Sequence, residues 1–130
     1  MRDKVEYWLE LSEYDLETAE AMLQTERFLY VGFMCHQSVE KILKSYYSRT
    51  KSETAPHTHS LAYLVKLTNL EKSLPNDLEE LLDDLEPLNI EARYPSYKEK
   101  LLTALTRSRC EELLIKTKQF IEWIKNTVMA

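Results

Sequence analysis

The side chains best able to do chemistry stand in one run, Phe33-Met34-Cys35-His36-Gln37-Ser38-Val39-Glu40-Lys41-Ile42-Leu43-Lys44. If this run is helical, His36, Gln37, Glu40 and Lys44 fall on neighbouring turns of one helix. Such a set could form a polar pocket for a nucleotide, a phosphate or a partner loop. Lys44 would supply charge and Gln37 hydrogen bonds. The alternative is an interhelical network plus a surface Glu40–Lys44 pair, with the acid on the favoured N-terminal side.

Two further segments carry candidates. His57 and His59 flank Thr58, but two histidines without a third ligand nearby make a poor metal site. Thr58 is instead expected to cap a short helix, placing His59 in its first turn against the helix of Glu40. Farther on, Pro95 restricts Tyr94 to extended backbone, which stops a helix and could aim Arg93 at a cleft. The competing role for Arg93 is an ion pair with a carboxylate such as Glu40. Cys35 and Cys110 form no metal-type cluster and are expected as small core or interface residues. A glycine-rich phosphate loop, a GxSxG turn and a carboxylate–histidine metal set are all missing. The sequence therefore supports no kinase, hydrolase or metalloenzyme and calls for no cofactor.

The elements that must position these residues are helical. One glycine, Gly32, in 130 residues is too few for the turns of a sheet protein. Apolar residues make up 44% and charged residues 30%, a globular composition sized for one domain over residues 1–130. Val5, Leu9, Leu16, Ala19 and Leu23 recur at helical spacing and predict a first helix over 3–24. Phe28, Val31, Cys35, Val39, Ile42 and Tyr46 predict a second over 28–48, with Gly32 and Ser38 as small positions that let a neighbour approach. A polar connector, 49–58, leads to a short helix over 59–70. Pro75 opens the next helix, whose stripe is Leu78, Leu81, Leu82 and Leu85. Pro87 is expected to end or kink it near Glu86, leaving 88–95 irregular or kinked. A long last helix is expected over 96–128, with Ser108, Arg109 and Glu112 interrupting its apolar face. That break marks a cleft, a dimer surface or an overhang. The fold class is thus all-α, an antiparallel four-helix up-and-down bundle with a short connector helix.

The net charge of −5 argues against a nonspecific nucleic-acid coat. The charge is uneven: −5 over 1–30, +3 over 31–70, −7 over 71–91 and +4 over 92–130. Alternating acidic and basic helices hold a bundle together, and the basic ones could also face a polyanion. No apolar stretch approaches the roughly 20 residues of a membrane span, and the charged start is unlike a signal peptide, so the expected compartment is the cytoplasm. Eight tyrosines suit an interface such as a homodimer's.

Four pieces in order resemble the HEPN family (higher eukaryotes and prokaryotes nucleotide-binding). They are Ser12-Glu13-Tyr14-Asp15-Leu16-Glu17-Thr18-Ala19, the run from Tyr30 to Lys44, Pro56-His57-Thr58-His59-Ser60-Leu61, and Ile90-Glu91-Ala92-Arg93-Tyr94-Pro95. The resemblance implies a dimerising four-helix bundle, often encoded beside a minimal nucleotidyltransferase. In such pairs the HEPN protein can be an RNA-cutting toxin that its partner neutralises; other members only bind or scaffold. Ribonuclease members carry Arg, four to six residues, then His, since the chemistry needs an imidazole for proton transfer and a guanidinium for phosphate charge. Here Lys98, Glu99 and Lys100 stand where that histidine would follow Arg93, and seven residues separate Arg49 from His57. The expectation is a non-catalytic module that binds a nucleotide or a nucleotidyltransferase in a toxin–antitoxin-like pair. Its binding residues would be His36, Gln37, Glu40, Lys44, His59, Arg93 and Tyr94. One alternative is a metal-independent endoribonuclease with a composite site of Arg93 and a histidine such as His36 or His59. Another is a dimeric scaffold. By analogy with family pairs, Tyr94 or Tyr97 could receive a nucleotide from the partner enzyme.

Overall fold

The computed structural model of the chain describes residues 3–91 and 103–129. Among them are the helices α1 (Lys4–Gln24), α2 (Phe28–Lys51), α3 (Leu61–Leu67), α4 (Asn76–Glu91) and α5 (Arg107–Trp123). A single π turn, Ile124–Val128, continues α5. Asp3 caps α1 by accepting a hydrogen bond from the Val5 N–H at 2.9 Å. Helix ends that would ordinarily use glycine use other residues here, since Glu26, Ser52 and Asn69 all take positive φ.

Cross-helix pairs fix the directions. Ser12 donates to the Ser38 carbonyl and Ser38 donates back to the Ser12 carbonyl, both at 2.8 Å. Ser45 donates to the Val5 carbonyl at 2.8 Å, so α1 and α2 run antiparallel along a seam of small residues. Lys118–Glu20 at 2.8 Å and Lys125–Glu13 at 2.5 Å set α5 antiparallel to α1. Arg109–Asp84 at 2.8 Å and Lys116–Asp77 at 3.2 Å set α5 antiparallel to α4. The up-and-down bundle follows, with α2 touching every other helix. Val31, Cys35, Val39, Ile42 and Leu43 of α2 are fully buried against leucines of α3 and α4 and Phe120, Ile121 and Ile124. Burial at this density supplies most of the stabilisation of such a bundle.

Several expected boundaries move. Ser60, not Thr58, caps α3, accepting from the Tyr63 N–H at 3.2 Å, so the helix spans Leu61–Leu67 rather than 59–70. Pro87 does not end α4, which runs on to Glu91. Pro87 is exposed, so water can serve the carbonyl its ring leaves unbonded, while Leu85, Leu88 and Asn89 are buried and hold the turn in place. Residues 88–91 are therefore helical rather than irregular. The last helix starts at Arg107, because the Thr106 side chain accepts from the Arg109 N–H at 3.2 Å. Leu105, just before that cap, is buried beside Gly32. A Cβ on Gly32 would come within 2.8 Å of the Leu88 side chain, which is why α4 can approach α2 there. Arg109 and Glu112 pair with each other, and Arg109 also holds Asp84 on α4. That polar break is thus an interhelical ion-pair ladder. Arg93, Tyr94, Pro95 and Tyr97 lie outside the described residues.

Candidate functional site

The polar run of α2 lies inside the bundle. His36, Gln37, Glu40 and Lys44 are all buried, so the Glu40–Lys44 pair is not a surface pair. Glu40 is the hub. One carboxylate oxygen lies 2.9 Å from His59 Nδ1 and the other accepts from Lys44 Nζ at 3.1 Å. His36 Nδ1 stands 3.9 Å from the first oxygen. Lys44 Nζ also sits 5.1 Å from the centre of the Trp8 ring on α1, a cation–π contact. Gln37 donates to Asn89 Oδ1 on α4 at 2.8 Å.

The cluster therefore ties α1, α2, α4 and the connector before α3 to one carboxylate and its neighbours. A buried carboxylate is tolerable only with such partners. An ionised carboxylate can only accept, so His59 Nδ1 is the donor to Glu40. The His59 side chain is 55% exposed, whereas His36 is fully buried. His59 is thus an imidazole held in one orientation at the edge of the cluster. The connector is fixed in turn. Thr58 accepts from the Ser60 N–H at 3.1 Å, and the Glu86 carboxylate accepts from the Leu61 and Ala62 N–H groups at 3.0 and 3.1 Å. An acid at a helix N-terminus satisfies open donors there and opposes the helix dipole.

His36, Gln37, Glu40, Lys44 and His59 come together as the sequence pattern anticipates. His57 is exposed on the connector, outside the cluster. Trp8, Glu86 and Asn89 are further members that the sequence pattern misses. Asn89 follows Pro87, which hides its helical register, and Trp8 looks like an apolar residue of α1. Cys35 is fully buried, and burial pushes its thiol up to about 12. Burial likewise pushes Cys110 up to about 11. Both cysteines are core residues with thiols that stay protonated at neutral pH. Among the described residues no His, Cys, Asp and Glu group could hold a metal ion, and no helix is long and apolar enough to cross a membrane.

The model of the HEPN domain family matches residues 5–127. Among solved structures, the chain is similar to TT1696 from Thermus thermophilus at 21% identity and a TM-score of 0.78, covering 95% of this chain and 98% of that one. That likeness concerns the fold. Among curated proteins none matches.

Proposed function

This chain belongs to the HEPN domain family, and we propose on that basis that it works as a binding module for a nucleotide or RNA, in partnership with a minimal nucleotidyltransferase. The observation that carries this reading is the fixed imidazole. Glu40 holds His59 at 2.9 Å while over half of that side chain stays open to solvent. A hydrogen-bonding group oriented in advance loses little freedom on meeting a base or a phosphate. Histidines at the nuclease spacing do not follow Arg49, Arg93, Arg107 or Arg109, which supports binding over cleavage. Exposed Tyr7, Tyr14 and Tyr30 on α1 and α2 offer contacts for a second copy of the chain. In a toxin–antitoxin-like pair the nucleotidyltransferase would modify or occupy this module, with Tyr94 or Tyr97 as the acceptor.

The test is titration of the purified protein with ATP and with a short single-stranded RNA, chelator present. His59→Ala should weaken one of them by about tenfold, the value of one charge-assisted hydrogen bond, with little change in thermal midpoint. Unchanged affinity for both would sink the reading.

One observation favours a second reading. A carboxylate that orients an imidazole is also how a general base is built. His59 could take a proton from a ribose hydroxyl while Arg93 holds phosphate charge, giving a composite metal-independent endoribonuclease. RNA cleavage lost in both His59→Ala and Arg93→Ala would establish the enzyme, and no cleavage from folded protein would remove it.

A further inference from the structure

The strongest unassigned surface lies between α3 and α4. A groove of about 200 Å³ is floored by Val65, Leu74 and Leu82 and rimmed by Glu71, Glu79, Asp83 and Glu86. The floor is apolar and largely screened from water, with each of its three residues less than a tenth exposed. Glu86 is committed to the N-terminus of α3. Glu71, Glu79 and Asp83 are exposed and meet no cation among the described residues.

This sets them apart from the acids that join the helices. Glu13, Asp15, Glu20, Glu26, Asp77 and Asp84 each pair with a Lys or Arg across a helix boundary. The groove lining contains no basic side chain. Its segment, 71–91, carries a net charge of −7 in a chain of −5 overall. The groove is also smaller than the roughly 300–1,000 Å³ of a small-molecule cleft. It has room for one apolar side chain, with carboxylates ready for charges on either side.

We propose that this groove docks a basic peptide segment of a partner protein, one apolar side chain seated on Val65, Leu74 and Leu82 and flanking Lys or Arg residues held by Glu71, Glu79 and Asp83. Charge complementarity selects this occupant. A polyanion such as RNA is repelled from the same face and is steered to the others. The proposal stands whether or not the His59 cluster binds a nucleotide.

The test uses the full chain and a fluorescent synthetic peptide with one leucine flanked by lysines and arginines. Anisotropy should report saturable binding that weakens with salt. Glu79→Lys with Asp83→Lys should weaken it at least tenfold, as should Leu→Ser in the peptide. Both protein positions are exposed, so the variant folds; circular dichroism checks this. Reversal of two acids elsewhere, Glu6→Lys with Glu17→Lys, should have little effect. Equal loss from that control, indifference to the leucine, or no binding would each overturn the proposal. A change of oligomeric state in Glu79→Lys/Asp83→Lys by sedimentation would assign the groove to a second copy and overturn it too.

Discussion

Helices α2 and α4 both carry acids, and the bundle treats Glu40 of α2 and Glu79 and Asp83 of α4 in opposite ways. On α2, Glu40 is buried and both its oxygens are engaged, by His59 and by Lys44. On α4, Glu79 and Asp83 stand in water one turn apart without a cation among the described residues. A buried charge must find its partners within the fold, so its position is set by structure. An exposed charge costs the fold almost nothing, so its position is free to be set by what approaches from outside. Glu40 serves the fold first and displays His59 as a consequence, whereas Glu79 and Asp83 are left open to an external encounter.

The largest effect should come from Glu40. Glu40→Ala leaves the Lys44 ammonium buried without its carboxylate and releases the connector at His59. Breaking a buried pair this way typically costs about 3–5 kcal/mol, read as a lower urea midpoint with an unchanged slope. A loss below about 1 kcal/mol would mean that water already solvates Lys44, and the contrast with α4 would collapse.

The serine seam comes next. Ser12 and Ser38 exchange hydrogen bonds with each other's carbonyls where α1 crosses α2. Ser12→Ala with Ser38→Ala should cost about 2 kcal/mol, near 1 kcal/mol for each buried bond. No loss would mean that close packing, rather than the hydroxyls, holds the seam.

The paired acids on α4 should show a weak pH dependence that the unpaired ones lack. The Lys116 ammonium donating to Asp77 lowers its carboxyl from the usual 3.8. A lowered native value means the unfolded chain takes up the proton first as pH falls. The contribution is present above pH 3.8 and is lost as pH falls through the native value. Asp77→Asn should remove that part of the acid sensitivity in urea melts from about pH 5 to about pH 2, and Glu79→Gln should leave it intact. Equal effects from both would show that Asp77 gains nothing from Lys116.

Much of this architecture is legible in the chain before any coordinates. The apolar period places Val31, Cys35, Val39 and Ile42 in the core and sets His36, Gln37, Glu40 and Lys44 on one stretch of α2. Periodicity does not reveal what lies opposite a polar residue. His59 meets the helix of Glu40 as expected but from the connector ahead of α3 rather than from a first helical turn, and Asn89 is concealed by Pro87. The proline rule rests on the missing N–H and the ring's clash with the preceding turn, which packing elsewhere on the helix can outweigh. Pro87 faces solvent, and its neighbours Leu85 and Leu88 supply the packing that keeps the helix going. Thr106 is hidden for the opposite reason, since leucines on either side continue the pattern across a real helix start. The acids of 71–91 are visible as a charge block. Which of them pair with α5 and which do not is a matter of facing, which charge counts omit.

The smallest effect carries the sharpest sign. Glu79 and Asp83 are four apart on α4, and like charges at that spacing repel by about 0.2–0.5 kcal/mol. Asp83→Asn should therefore raise the thermal midpoint slightly while weakening capture of the basic peptide. Glu40→Gln, the matching neutralisation on α2, should lower the midpoint. Two isosteric losses of one negative charge would then move stability in opposite directions. A fold selected only for its own stability has no reason to keep Glu79 and Asp83 side by side above an apolar groove. A partner that brings lysines and arginines gives it one, because their charge converts the repulsion into attraction only in the complex. If Asp83→Asn instead destabilises the free chain, the acid has a partner within the fold, and the α4 face joins α2 as structure.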